Sequence, residues 1–223
     1  MTYEGLRLRL SGYWRRGFAN LRQKRLLGKD FTIISNNCWG GMIYESYNLP
    51  KNSPTIGLFF FADDYICFLQ NLRDFTSAPL EFISPEKSKW KERPELTGDK
   101  RFGNYPIGQL SIGGGRTIEL FFLHYHSEAE AKEKWERRCK RINWKRLLVK
   151  FNDQNGATQD NVDAFLRMSY EKLFFTCKEW NGMTSECFII SQPSCYSVVT
   201  ASHEPFGKSH YLDITHKINS LYQ

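Results

Sequence analysis

The segment Ser35-Asn36-Asn37-Cys38-Trp39-Gly40-Gly41 sets two carboxamides, a thiol and two glycines side by side. Where such a loop leaves a strand and enters a helix, consecutive backbone N–H groups cradle a phosphate and the carboxamides supply oriented donors and acceptors. Asn36, Asn37, Gly40 and Gly41 are therefore candidate substrate-binding positions. The same residue types also build an ordinary turn, because asparagine and glycine tolerate left-handed backbone while Trp39 packs inward. The pattern matches neither G-x-G-x-x-G nor a phosphate loop ending in Gly-Lys-Ser/Thr. Cys38 becomes a candidate nucleophile if a base or a helix N-terminus lowers its thiol pKa.

Asp63 and Asp64 follow an apolar run. Asp64 is a candidate to hold a metal, orient a sugar hydroxyl or act as a general base, and paired acids also serve simply as helix caps. His124-Tyr125-His126 precedes a helix start, so alternation along a strand puts both histidines on one face. His124 is the candidate catalytic base; no cysteine or third histidine stands nearby at a ligand spacing, so no metal site is assigned. Lys134, Arg138, Arg141 and Lys145 follow i, i+4, i+7 and i+11, a basic stripe whose mutual repulsion an anion would relieve. Planar guanidinium suits phosphate, which makes Arg138, Arg141 and the adjacent Asn143 candidate substrate contacts. Glu133 with Arg137 and Glu136 with Lys140 offer the alternative of a solvated, self-paired helix.

The elements that position these residues read as alternating strands and helices. Phe31 to Ser35 is a short β-branched run, and Met42 to Tyr47 turns as a helix. Thr55 to Phe61 reads as a second buried strand, with Asp63 or Asp64 capping a helix from Tyr65 to Leu72. Pro79 to Pro94 is a charged connector with a strand at Glu81 to Ser84. Ile107 to Ile112 and Thr117 to His124 pair as a hairpin about Gly113-Gly114-Gly115. Ser127 and Glu130 form a capping-box pattern for a helix running on to Arg146. Strands at Leu147 to Phe151, Lys172 to Cys177, Cys187 to Ser191 and Tyr196 to Ala201 follow, with helices at Asp160 to Met168 and Asp213 to Tyr222. The expected fold is α/β: a largely parallel sheet with helices on both faces, Rossmann-like without the dinucleotide fingerprint, plus an antiparallel portion from the hairpin.

At 223 residues and 41% hydrophobic, the chain supports one large core without disulfides or metal. Its longest apolar stretch, Ile56 to Phe61, is far short of the roughly 20 residues of a spanning helix, and the first residues alternate leucine with arginine unlike a secretory signal. Six cysteines without a C-x-x-C pair read as reduced, mostly buried thiols, which suits a cytoplasmic protein. Residues 1–29 carry eight basic side chains against Glu4 alone, an excess equal to the net +7 of the whole chain. This leader, 1–29, precedes a nearly neutral body, 30–223, expected to form a single α/β domain. Leu6, Leu10, Trp14, Phe18 and Leu21 recur at near-helical spacing among the arginines, so the leader either lies peripherally on acidic lipid at the inner membrane face or packs on the body. The neutral body argues against a nucleic-acid partner.

Ile34-Ser35-Asn36-Asn37-Cys38-Trp39-Gly40-Gly41, with Ser53-Pro54-Thr55-Ile56-Gly57-Leu58 and Asp64-Tyr65, resembles the domain-of-unknown-function family numbered nineteen-nineteen. Tyr105-Pro106-Ile107-Gly108, His124-Tyr125, Glu130-Ala131 with Lys134-Trp135, and Arg137-Arg138 with Arg141-Ile142-Asn143 continue the resemblance in the same order. Members of that family are labelled exopolysaccharide or capsular polysaccharide biosynthesis proteins, so the resemblance implies work on a bacterial surface glycan. It carries over no catalytic residue. Gly113-Gly114-Gly115 stands where the family pattern leads one to expect an aspartate. The combined expectation is a transferase acting on a sugar nucleotide or a lipid-linked, phosphorylated glycan precursor, with a divalent metal as a conceivable companion of the nucleotide. The alternative is a non-enzymatic saccharide-binding or assembly protein.

Overall fold

A computed structural model describes residue 10, residues 12–192 and residues 197–223. Strands β1 (Thr32–Ser35), β5 (Leu147–Asn152), β6 (Glu171–Thr176) and β7 (Cys187–Ile189) form a parallel sheet in the order β1-β5-β6-β7. Strands β2 (Glu81–Ile83), β3 (Ile107–Ile112) and β4 (Arg116–Phe121) form a separate antiparallel sheet. Besides a helical stretch at residues 12–17, the α-helices are α1 (Ala19–Gln23), α2 (Trp39–Ser46), α3 (Ala62–Gln70), α4 (Leu72–Ser77), α5 (Pro94–Thr97), α6 (Glu128–Cys139), α7 (Gln159–Leu166) and α8 (Ile214–Asn219). The expected α/β architecture with an antiparallel hairpin is therefore the observed one.

Successive residues of a strand face opposite sides of its sheet, and both sides here are buried. Ile34, Val149, Phe151 and Phe174 enter a core shared with α3, α6 and α7, whereas Ile33, Leu148, Leu173 and Phe175 enter a second core with α2 and α8. This explains the near-continuous apolar runs, which carry no polar alternation. The antiparallel sheet is likewise two-sided. Leu110, Ile118 and Leu120 join the first core, while Ile107 and Phe121 pack with Phe61, Leu96 and Tyr105 on the far side. Gly108 is required by close approach, since a Cβ there would lie 2.7 Å from both Leu80 and Phe122.

Several expected elements shift. Thr55 to Phe61 is not a strand: it forms turns and a single bridge, Phe59 to Phe121. Its apolar side chains serve three different cores, so no ladder forms along it. Neither Asp63 nor Asp64 caps α3; Phe61 is its N-cap and both acids lie in its first turn. Ser127 does cap α6 by accepting from the Glu130 N–H at 3.2 Å, although the Glu130 carboxylate reaches the His126 N–H. That helix ends at Cys139, not Arg146, because Asn143 turns the chain by donating to the Asp30 carbonyl and accepting from the Lys145 N–H. Residues 197–201 are not in a strand, and the start of that expected strand lies outside the described residues.

Cys38, Cys67, Cys139, Cys177 and Cys187 are unpaired thiols of intermediate exposure rather than fully buried ones; Cys195 lies outside the described residues. Among the described residues no helix is long and apolar enough to cross a membrane. The leader residues that are described dock on the body. Residues 12–17 and α1 are helical, Arg22 donates to the Ser46 carbonyl at 2.8 Å, and the Leu27 N–H donates to Asn219 at 2.8 Å.

Trp135 ties the layers together, packing from α6 against Phe68 of α3 and Phe122 beyond β4. Trp135→Ala is expected to cost about 3–5 kcal/mol, the range for emptying a buried aromatic site. Urea unfolding with an unchanged slope and a lowered midpoint checks this.

Candidate functional site

The C-terminal ends of parallel strands leave unpaired backbone groups and diverging loops, and this is where open α/β sheets bind ligands. Here that edge holds a cluster of buried polar side chains. Lys150 on β5 and Glu204 on the loop returning from β7 form an ion pair with both side chains fully buried. Asn37 joins them: its Oδ1 accepts from Lys150 Nζ at 2.9 Å and its Nδ2 donates to Glu204 at 3.3 Å. Asn152 Nδ2 donates to Glu204 at 2.8 Å, and Gln154 accepts from Asn37 at 3.1 Å. Burial pushes the Glu204 carboxyl above, and the Lys150 ammonium below, their ordinary values, with each partner opposing the other's shift.

Local folding explains how these side chains converge. Asn36 spans β1 and β5, donating to Asn152 Oδ1 at 2.8 Å and accepting from the Asn152 N–H at 3.2 Å. Ser35 and Asn37 then cap the entry to α2: Ser35 Oγ accepts from the Gly40 N–H and Asn37 Oδ1 from the Trp39 N–H. Glycine at position 40 lets α2 sit on β1, since a Cβ there would lie 3.0 Å from Ser35 Oγ. The loop carrying Glu204 is pinned by Asp153, which accepts from the Val199 N–H at 2.9 Å, and by Trp39, whose indole donates to the Pro205 carbonyl at 2.8 Å.

Two cavities open above this floor and meet at Cys38. One, of about 250 Å³, is lined by Gly41, Glu45, Lys51, His124, Lys134 and Arg138. The other, of about 260 Å³, is lined by Asn37, Phe59, Asp99, Arg101, Gln154 and Asn155. The first is cationic. Arg138 is only 9% exposed and has no carboxylate within ion-pair reach among the described residues; it donates to Tyr125 Oη at 2.5 Å and to the Ile56 carbonyl at 3.4 Å. Desolvation at the rim, then the fields of Arg101 and Lys51, lowers the His124 pKa, which favours the neutral imidazole. Burial, then the Glu204 charge, pushes the Cys38 thiol up to about 11 against the opposing pull of Lys150, Arg101 and Lys51, so the protonated thiol is its resting form. Among the described residues no group of His, Cys, Asp and Glu side chains clusters as metal ligands.

Of the expected site residues, the fold brings Asn37, Cys38, Gly41, His124 and Arg138 together around the two cavities. Asn36 is spent on the β1–β5 junction, and Gly40 is packed into the floor. Asp64 is elsewhere. Its carboxylate accepts from Lys89 at 2.5 Å, Trp90 Nε1 at 2.6 Å and the Glu119 N–H at 3.0 Å, which makes it a structural node of the antiparallel sheet. Arg141 and Asn143 line a different cavity beside Asp30 and Phe31, before β1, because α6 stops short of them. His124 and His126 occupy a turn after β4, and only His124 faces the cleft.

Sequence reading missed Lys150, Glu204, Asn152 and Lys51. Lys150 did leave a trace, as a lone charge inside Leu147-Leu148-Val149-Lys150-Phe151 where every residue is buried. Glu204 left none, since acids in loops are ordinary. A larger cavity, about 620 Å³, lies at the other end of the sheet, between Asn71, Arg73, Trp144 and Tyr170. It lacks a buried polar floor, so the cleft above Lys150 is the stronger candidate.

With this geometry in place, comparison with known proteins adds kinship. Residues 11–220 match the model of the Domain of unknown function (DUF1919). The chain belongs to the DUF1919 family. An uncharacterized protein of Haemophilus influenzae is similar to it, 32% identical over 168 residues that make up 75% of this chain and 71% of the relative. The match spans every element that builds the cleft, from α2 to the Glu204 loop.

Lys150→Met strands a buried carboxylate and is expected to cost about 3–5 kcal/mol, whereas Lys150→Met/Glu204→Gln recovers most of that loss. The single variant carries a glutamate whose folded pKa lies above its unfolded one, so it takes up a proton on folding. Its stability deficit shrinks as pH falls toward the carboxylate range and grows as pH rises. Denaturant titrations of both variants across pH check both the cycle and the sign.

Proposed function

We propose that this chain is a transferase acting on a phosphorylated glycan precursor, a sugar nucleotide or its lipid-linked counterpart, in the synthesis of a bacterial surface polysaccharide. It works in the cytoplasm at the inner membrane face, and a divalent metal accompanies the nucleotide where one is needed. The observation that carries the reading is the cleft's division of chemistry. A buried guanidinium without a carboxylate partner among the described residues, flanked by Lys51 and Lys134, suits phosphate. The adjoining cavity, with Asn37, Gln154, Asn155, Asp99 and the Phe59 ring, suits a sugar's hydroxyls and apolar face.

In this reading the acceptor hydroxyl attacks the anomeric carbon as the bond to the phosphate oxygen breaks. His124 accepts the hydroxyl proton, and the departing phosphate keeps the bonding electron pair beside Arg138 and Lys51. A second reading, saccharide binding without chemistry, is favoured by Trp144 and Tyr170 in the large cavity at the other end of the sheet, although Arg73 already lies over the Trp144 ring at 4.2 Å.

A thermal-shift screen against sugar nucleotides, with and without magnesium or manganese, tests the proposal. Ligand at 100 times its Kd stabilises by about 2.7 kcal/mol, enough to read as a shift. The shift is expected to shrink in Lys51→Ala and to vanish in Arg138→Ala. Absence of any shift with every donor would move the cleft to a binding role for a neutral saccharide. With a donor in hand, His124→Gln is expected to lower turnover by about 10²–10⁴-fold while affinity holds. The acid limb of the rate profile should fall below the ordinary histidine value of about 6.5, because the imidazole must be neutral to accept the proton. Removing the Arg101 charge with Arg101→Gln is expected to move that limb upward.

A further inference from the structure

Large apolar side chains that face solvent are concentrated in one place. Of the seven exposed ones among the described residues, Leu10, Tyr13, Trp14, Phe18, Leu21 and Leu27 belong to the leader, and Ile189 lies elsewhere. The first five follow i, i+3, i+4, i+8 and i+11, one stripe of the helical path through residues 12–17 and α1. Trp14 and Phe18 stack at 5.2 Å between ring centroids. The other side of this path holds the body: Ala19 is buried, and Arg22 spends its guanidinium on the carbonyls of Ser46, Arg15 and Trp14.

Around the apolar stripe stand Arg16, Lys24, Arg25 and Lys29, all exposed, and Lys208 borders the groove that Trp14, Phe18 and Leu21 share with Phe206. No acidic residue occurs between Leu10 and Lys29. An exposed apolar stripe is a liability in water, and a uniform positive rim discourages a second copy of the same face from covering it. We infer that this face docks on an anionic lipid bilayer, with the stripe seated at the boundary between headgroups and acyl chains and the cations on lipid phosphate. Tyr13 and Trp14 have the amphipathic rings that settle at such interfaces.

The position of this face agrees with the cleft, and the point rests on the reading of that cleft as a phosphate site. Arg15 and Arg16 both pair at 3.3 Å with Glu45, which lines the cationic cavity from the last turn of α2. Eight residues of helix span about 12 Å, so the bilayer contact and Cys38 stand roughly one short helix apart. A phosphate carried on a membrane lipid would have little distance to cover.

Sedimentation of the full chain with vesicles tests the docking independently of any cleft ligand. The chain is expected to co-sediment with vesicles of equal parts phosphatidylglycerol and phosphatidylethanolamine and to remain in solution with pure phosphatidylcholine. Trp14→Ala/Phe18→Ala/Leu21→Ala should abolish binding with an unchanged melting temperature, since these side chains are exposed. Lys24→Gln/Arg25→Gln should weaken it about fivefold per charge removed, and rising salt should do the same. Equal binding to phosphatidylcholine, or none to either vesicle, overturns the inference, as does a dimer in light scattering that the triple variant converts to monomer. A sugar-nucleotide thermal shift without vesicle binding would sink the docking alone; vesicle binding without any cleft ligand would leave the docking standing and sink the transferase reading.

Discussion

A lysine and a glutamate with no access to water meet beneath the strand ends, and much of the surrounding structure serves to make that tolerable. Moving either charge alone out of water costs several kcal/mol even after relaxation. Lys150 therefore needs Glu204 and the Asn37 carbonyl oxygen, and Glu204 needs the amides of Asn37 and Asn152. Those carboxamides are in turn held by β1, by the entry to α2 and by the end of β5. A network of this kind is stable only when nearly every donor and acceptor is matched. It consequently fixes the path of the 197–205 loop, a segment without regular secondary structure of its own.

The same arrangement sets the electrostatics of the cleft above. With the floor's charges paired internally, the field in the cationic cavity comes from Arg138, Lys51 and Lys134 against Glu45; among the described residues Lys134 pairs with Glu130 and Glu45 with Arg15 and Arg16. Arg138 reaches the cavity because α6 packs through Trp135 and Ala131 onto the core beneath the antiparallel sheet. His124 arrives from the turn after β4. The two sheets thus contribute opposite walls: the parallel sheet gives the floor and the α2 entry, the antiparallel layer and the helix packed on it the His124 imidazole and the buried Arg138 guanidinium. Asp64 completes this second wall indirectly by clamping Lys89, Trp90 and β4. Burial raises its pKa, against the pull of Lys89.

Local chemistry determined a good deal. The β-branched and aromatic runs at 32–35, 147–152 and 171–176 are strands because nearly all their side chains are buried on one face or the other. Ser127, Thr158 and Asp213 cap helices through short-range hydrogen bonds that their own sequence neighbourhoods supply. The Asn-Asn-Cys-Trp-Gly-Gly segment forms the strand-to-helix turn its composition suits, closed by Ser35 and Asn37 on the first N–H groups of α2. The concentration of positive charge in the leader was equally plain.

Tertiary structure decided the rest, wherever a residue's fate depended on a partner distant in sequence. Thr55 to Phe61 has strand composition, yet it found no continuous neighbour to ladder with. Arg138 and Arg141 look equivalent along a helix until the Asn143 turn sends the second to another cavity. Asp64 and Glu204 are both loop or helix-start acids in the sequence; one became a clamp on a sheet and the other the counter-ion of a buried lysine. Propensity and capping act within a few residues and so are written locally, whereas charge pairing and burial are settled between segments far apart in the chain, as Asn37 and Glu204 are at 167 positions.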